Sequence, residues 1–133
     1  MKNYLFACVH NAGRSQMAAA FFCATADGEK ATGISAGTEP GERVPPVVVE
    51  AMLEEGIDLR GIAPAKLTDA MAEGAAMLIT MGCGEACPYV AGLRREDWPL
   101  EDPKGKPMEV VRRIRDDVKR RVEDLVKREG VGR

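Results

Sequence analysis

Cys8 is followed by five residues, an arginine and a serine: Cys8-Val9-His10-Asn11-Ala12-Gly13-Arg14-Ser15. That spacing suits a cradle for a tetrahedral oxyanion. The backbone N–H groups of Val9, His10, Asn11, Ala12, Gly13, Arg14 and Ser15 can turn inward around an anion. A helix beginning near Arg14 would add the positive end of its dipole. The guanidinium of Arg14 offers a planar fork of donors for two oxygens. The same field favours a thiolate at Cys8, and the Ser15 hydroxyl can donate to the sulfur, so Cys8 is the candidate nucleophile. His10, the only histidine, lies inside this loop and reads as a residue that braces it.

A second group of thiols stands in Met81-Gly82-Cys83-Gly84-Glu85-Ala86-Cys87-Pro88. Two cysteines four positions apart, flanked by glycines, can approach each other within a bending loop. With Cys8 they make three thiols for a relay in which one attacks a substrate, one attacks that adduct and one takes over the disulfide. Zinc would need four ligands, and only Cys8, His10 and Cys23 could complete the set, so no metal is expected. Cys23 falls well inside a helical stretch and reads as structural. Trp98 reads as a packing residue, and Asp102 before Pro103 has the form of a turn.

The elements that must position these groups follow from pattern. Tyr4-Leu5-Phe6-Ala7 and Ala76-Met77-Leu78-Ile79-Thr80-Met81 are short apolar runs of the kind found in buried parallel strands, and Thr32–Gly37 reads as another strand. Helices are predicted from Arg14 to Ala26, with Met17, Ala20, Phe21 and Ala24 facing the core, and from Val47 to Glu55. Two more are predicted from about Pro64 to Glu73 and from about Pro107 to Arg128. The last carries an apolar stripe of Val110, Val111, Ile114, Val118, Val122 and Leu125. Residues 38–46 and 82–105 read as irregular. Strands alternating with helices imply an α/β fold with a parallel sheet covered on both faces. Ligands then bind beyond the carboxyl ends of the strands, where Cys8 ends one strand and Cys83 follows another.

A chain of 133 residues fits a single domain, 1–133, with one core. A net charge of -2 gives no reason to expect nucleic acid or an anionic membrane as partner. The basic residues between Arg112 and Arg128 alternate with Asp116, Asp117, Glu123 and Asp124, as on a solvated helix face. No stretch approaches the roughly 20 apolar residues of a membrane span, and the N-terminus lacks a signal-like pattern. A cytoplasmic protein is expected, in which four cysteines point to catalysis or redox work, not to structural disulfides.

The chain resembles the thioredoxin-coupled arsenate reductases built on the low-molecular-weight tyrosine phosphatase fold. The likeness rests on Cys8 to Met17, Ser35-Ala36-Gly37, Gly56-Ile57-Asp58, Cys83 to Cys87, Glu96-Asp97-Trp98 and Asp102-Pro103. It implies a four-stranded parallel sheet with helices on both faces. It further implies that Cys8 attacks arsenate held by Arg14 and the loop, that Cys83 attacks Cys8 to release arsenite, and that Cys87 then forms a Cys83–Cys87 disulfide. Thioredoxin, or another thiol donor, would reduce that disulfide. Phosphate would compete with arsenate, no cofactor would be bound, and a monomer is expected. Asp102 corresponds to the phosphatases' general acid, and Asn11 would brace the loop. Lys104 and Gly105 follow Asp102-Pro103 where the phosphatases usually carry aromatic residues. Two alternatives stand beside the reductase: a low-molecular-weight protein tyrosine phosphatase that leaves the cysteine pair unused, and a non-enzymatic thiol protein that binds metalloids or senses redox state.

Overall fold

A computed structural model of the chain describes residues 1–82 and 90–133. The relay thiols Cys83 and Cys87 named above lie outside the described residues. The elements run β1 (Lys2–Cys8), α1 (Arg14–Thr25), β2 (Ala31–Gly37), α2 (Pro46–Leu53), α3 (Asp69–Glu73), β3 (Met77–Thr80), β4 (Arg94–Asp97) and α4 (Met108–Glu129). The strands form one all-parallel sheet in the order β2-β1-β3-β4, the α/β architecture anticipated from the alternating pattern.

Alternation along β1 divides the core. Tyr4, Phe6 and Cys8 face the side covered by α1, α2 and α4, where Met17, Phe22, Val48, Val118 and Leu125 are buried with them. Leu5 and Ala7 face the other side and meet Leu67, Ala72 of α3 and Leu78. A strand apolar on both faces is what a doubly covered parallel sheet requires. α4 buries Val111, Ile114, Val118, Val122 and Leu125 at three- and four-residue intervals and ends at Gly130, whose φ of 67° suits a glycine cap. Its basic residues are tied to acidic neighbours: Arg112 and Arg115 to Glu54, Arg121 to Asp117, and Arg128 to Glu96 and Asp124. Among the described residues no helix is long and apolar enough to cross a membrane.

Three expectations are corrected. The helix anticipated from Pro64 to Glu73 is confined to Asp69–Glu73, opened by Thr68, whose hydroxyl accepts from the Met71 N–H at 3.2 Å. The preceding residues run extended beside the end of β2, with the Gly37 N–H donating to the Ala65 carbonyl and the Leu67 N–H to the Gly37 carbonyl, both at 2.8 Å. Two backbone bonds to a neighbouring strand outweigh modest helix propensity. The span 82–105 is not wholly irregular, because Arg94–Asp97 forms β4. Its charged residues are typical of a sheet edge and hide the strand from any apolar pattern. On α1 the buried face holds Met17, Ala18, Phe21 and Phe22, and Ala24 is exposed.

One polar cluster ties β1 and β4 to the end of α4. The Tyr4 hydroxyl donates to Glu129 Oε1 at 2.7 Å, and Arg94 grips the same carboxylate through both terminal nitrogens. The Arg94 hydrogen bonds, opposed by burial and joined by the Tyr4 bond, hold the Glu129 carboxyl down at about 2 from its ordinary 4.5. A carboxyl depressed in the folded state adds stability above its unfolded value and loses it as pH falls through the folded one. Urea midpoints should therefore fall between pH 4.5 and pH 2, and Glu129→Gln should flatten that part of the decline. An unchanged slope in the variant would show that this cluster does not carry the acid sensitivity.

Candidate active site

Cys8 ends β1 almost fully buried, at 1% exposure. Its sulfur lies 2.9 Å from Ser15 Oγ and receives the Asn11 backbone N–H at 3.2 Å. Ser15 Oγ also accepts from Asn11 Nδ2 at 2.7 Å. With that lone pair engaged, the hydroxyl proton is free to point at the sulfur. Two donors aimed at one sulfur are what a thiolate nucleophile needs.

Asn11 holds the turn. Its backbone is left-handed, φ 49°, the sole such residue other than glycine among the described residues, and asparagine tolerates that region better than most. Its Oδ1 accepts from the Ala65 N–H at 2.9 Å and from Gln16 Nε2 at 3.1 Å, and Gln16 also donates to the Asn11 carbonyl. The segment after β2 takes up the loop's carbonyls: Thr38, Glu39 and Gly41 donate through their N–H groups to Cys8, Val9 and His10. Turning those carbonyls outward leaves the N–H side of the turn for an anion. His10 Nδ1 lies 3.0 Å from the Glu39 carbonyl. A carbonyl only accepts, so Nδ1 carries the proton in this contact and His10 braces the rim.

Arg14 opens α1 and is 8% exposed. A guanidinium that well buried needs partners. Nη1 donates to the Leu100 carbonyl at 3.2 Å, and Nη2 faces Asp102 Oδ2 at 3.8 Å. The segment bearing both is anchored by Trp98, which is 2% exposed. Its ring stands against Phe6 at 5.9 Å, its N–H donates to the Thr80 carbonyl and its indole to Glu96. Asp102 Oδ1 accepts from the Lys104 N–H at 3.0 Å, so it forms a turn and also flanks the site.

Cys8, His10, Ala12, Gly13, Arg14 and Asp102 line one cavity of about 470 Å³. Arg43, Pro45, Pro46, Pro103 and Lys104 also line it. β1 and β3 are neighbours with Ala7 opposite Thr80, so the chain that continues to Cys83 leaves the sheet beside the strand that ends at Cys8. Cys23 stands apart, exposed on α1, its sulfur exchanging contacts with the Gly33 N–H and carbonyl at 3.4 Å. Among the described residues no group of histidine, cysteine and acidic side chains is placed to hold a metal.

Several contributors escape a reading by residue type. Gln16 supports Asn11 from the first turn of α1, and the Ala65 N–H supports it from a distance in sequence. Gly37 permits close approach: a Cβ there would lie 2.6 Å from the Val9 carbonyl and 2.8 Å from the Asn11 nitrogen. A Cβ on Gly13 would lie 2.6 Å from Pro103 Cγ, so the missing side chain lets the Asp102-Pro103 segment close on the loop. A glycine at a strand end beside a turn is the signal for such contacts.

The profile of the low molecular weight phosphotyrosine protein phosphatase family matches residues 3–131 of this chain. A Synechocystis protein named glutaredoxin arsenate reductase is 39% identical over 129 residues, covering 95% of this chain and 97% of its own length. A solved structure of an arsenate reductase in the oxidized state superposes with a TM-score of 0.84 at 36% identity, over 96% of this chain and 98% of that one. The structure of a Corynebacterium glutamicum thioredoxin-dependent arsenate reductase gives a TM-score of 0.83 at 35% identity over 96% of this chain. The present chain spans 61% of the length of that protein.

Asn11 offers the sharpest test of this geometry. Asn11→Ala removes its side-chain bonds and keeps a left-handed backbone that alanine resists, so stability should fall by about 2–5 kcal/mol in urea titration. Asn11→Gly loses the same bonds without the backbone cost and should be less destabilised by about 1 kcal/mol. Equal losses would mean that the left-handed turn is not held in solution.

Proposed function

This chain belongs to the low molecular weight phosphotyrosine protein phosphatase family, and we propose that within it the chain reduces arsenate to arsenite. One observation carries the reading. A buried thiol with two donors on its sulfur shares a cavity with a seated arginine, in a chain that aligns over nearly its whole length with arsenate reductases. Residues 1–133 would act as one domain and one cytosolic monomer, with no resident cofactor.

The loop N–H groups of residues 9–15, apart from the Asn11 N–H held on the Cys8 sulfur, bind the arsenate oxygens with the fork of Arg14, and phosphate, with the same shape and charge, competes. The Cys8 thiolate attacks arsenic(V), and an oxygen leaves as water after protonation. Asp102, in the cavity wall beside Arg14, is the acid assigned to that proton. Cys83 then attacks the Cys8 sulfur. Two electrons pass to arsenic, arsenite leaves as arsenic(III), and a Cys8–Cys83 disulfide remains. Cys87 attacks Cys83, which frees Cys8 and leaves a Cys83–Cys87 disulfide. An external dithiol reduces it, so each cycle turns one arsenate and one dithiol into one arsenite, one disulfide and water.

Thioredoxin is the assigned donor, because a disulfide between two cysteines of one chain is a substrate for a protein dithiol. The Corynebacterium relative is named for thioredoxin and the Synechocystis relative for glutaredoxin, so the assay needs both. Arsenate-dependent NADPH oxidation should appear with thioredoxin and its reductase, and phosphate should inhibit it competitively. Cys8→Ser and Cys83→Ser should abolish arsenite release, while Cys87→Ser should release no more than one arsenite per chain. Hydrolysis of phosphate esters unaffected by Cys83→Ser, with no arsenate turnover under either donor, would instead make the chain a phosphatase.

A further inference from the structure

The oxyanion arginine does not rest on side chains alone. Gly82 lies directly before Cys83 in sequence and has a left-handed backbone, φ +87°. The Arg14 guanidinium lies over its α-carbon. A Cβ built there would stand 2.5 Å from Arg14 Nη1, 3.5 Å from Cζ and 3.9 Å from Nη2. The guanidinium is also held by the Leu100 carbonyl on Nη1 and by Asp102 facing Nη2. It is therefore confined between a bare α-carbon and a fixed carbonyl.

We propose that Gly82 is a positioning residue for oxyanion binding, its missing side chain forming the seat that sets the plane of the Arg14 fork. Ordinary contact with a methyl group begins near 3.4 Å, so an alanine would push Nη1 back by about 1 Å. The end of an arginine side chain can make that move without disturbing the core. It cannot do so and keep the Leu100 bond together with a bidentate grip on the anion, because the fork is rigid and planar. Substitution should therefore act on anion affinity far more than on folding. The proposal rests on the reading of Arg14 as the oxyanion fork, and it assigns a purpose to a glycine whose backbone angle alone would suggest only a turn.

The test is binding of inorganic phosphate to the fully reduced chain, read as protection of Cys8 from iodoacetamide by mass spectrometry of the Cys8 peptide. Gly82→Ala should weaken phosphate binding by about tenfold or more, read as the phosphate concentration that halves the alkylation rate of Cys8 in that same variant. Gly82→Asn, which adopts a positive φ more readily, should recover thermal stability without recovering affinity. Arg14→Lys binds phosphate more weakly by itself, and adding Gly82→Ala to it should cost little more, because the lysine has no fork to displace. Wild-type affinity in both Gly82 variants would overturn the proposal, as would an equal loss from Gly82→Ala in the Arg14→Lys background and in the unsubstituted one. Arsenate turnover is measured in parallel on the unsubstituted chain. A chain that binds phosphate but never releases arsenite would refute the reductase reading and leave the assignment of Gly82 standing, whereas absence of phosphate protection in the unsubstituted chain would overturn both.

Discussion

The chemistry of this molecule depends on a short hydrogen-bond chain, Asn11 to Ser15 to Cys8, closed by the Asn11 N–H on the same sulfur. A thiol at the end of a buried strand is ordinarily an inert apolar group. Here two donors face it, and both are fixed by a single asparagine in a backbone region that most residues avoid. That one turn gives a core cysteine two donors on its sulfur in the lining of a cavity, the setting that the proposed nucleophile needs. The surrounding structure bears on the same point: Gln16 from α1, Ala65 from the stretch before α3, and Gly37 from the end of β2 each hold or make room for Asn11.

Arg14 adds the electrostatic half. Placing a guanidinium at 8% exposure is costly without partners, and the chain supplies a carbonyl and a carboxylate from a segment more than eighty residues away. Trp98 makes this possible by locking that segment to β3 and Phe6. With Asp102 and the Leu100 carbonyl against it, the arginine is restrained, so in the proposed oxyanion role less conformational freedom would be lost on binding. Sheet order does the rest. β1 lies between β2 and β3, so the loop ending in Arg14, the loop after β2 and the chain leading to Cys83 all leave the same edge.

How much of this was legible in the sequence divides along physical lines. β1 could be read as a short continuous apolar run, α1 from its helix-forming residues, and α4 because its apolar side chains recur with the helical period. The candidate nucleophile and its arginine could be read because their spacing fits one turn between a strand end and a helix start, where the structure places them. β4 could not, since Arg94, Arg95, Glu96 and Asp97 sit at a sheet edge where charge is favoured and no apolar pattern survives. Residues 64–67 misled because Pro64 and Ala65 suit a helix start, while the deciding bonds are made with Gly37. Gly37, Gly82 and the Leu100 carbonyl gave no chemical signal for a shared reason: each acts through a contact distant in sequence and carries no reactive side chain there. The bonds of Gln16 to Asn11 are local but show only once the turn is folded. Asp102 read as a turn residue and, through the resemblance, as a general acid; the structure shows the turn through Oδ1 and an ion pair with Arg14 through Oδ2.

The central claim is that one oxidation event passes through three sulfurs of this chain. The most direct measurement is a single turnover: reduced protein mixed with a stoichiometric amount of arsenate and no external thiol, quenched in acid, and mapped by mass spectrometry. The account predicts one arsenite released per chain, a Cys83–Cys87 disulfide, and Cys8 recovered as a free thiol. Arsenite released with Cys8 alone modified, or no arsenite at all, would contradict it.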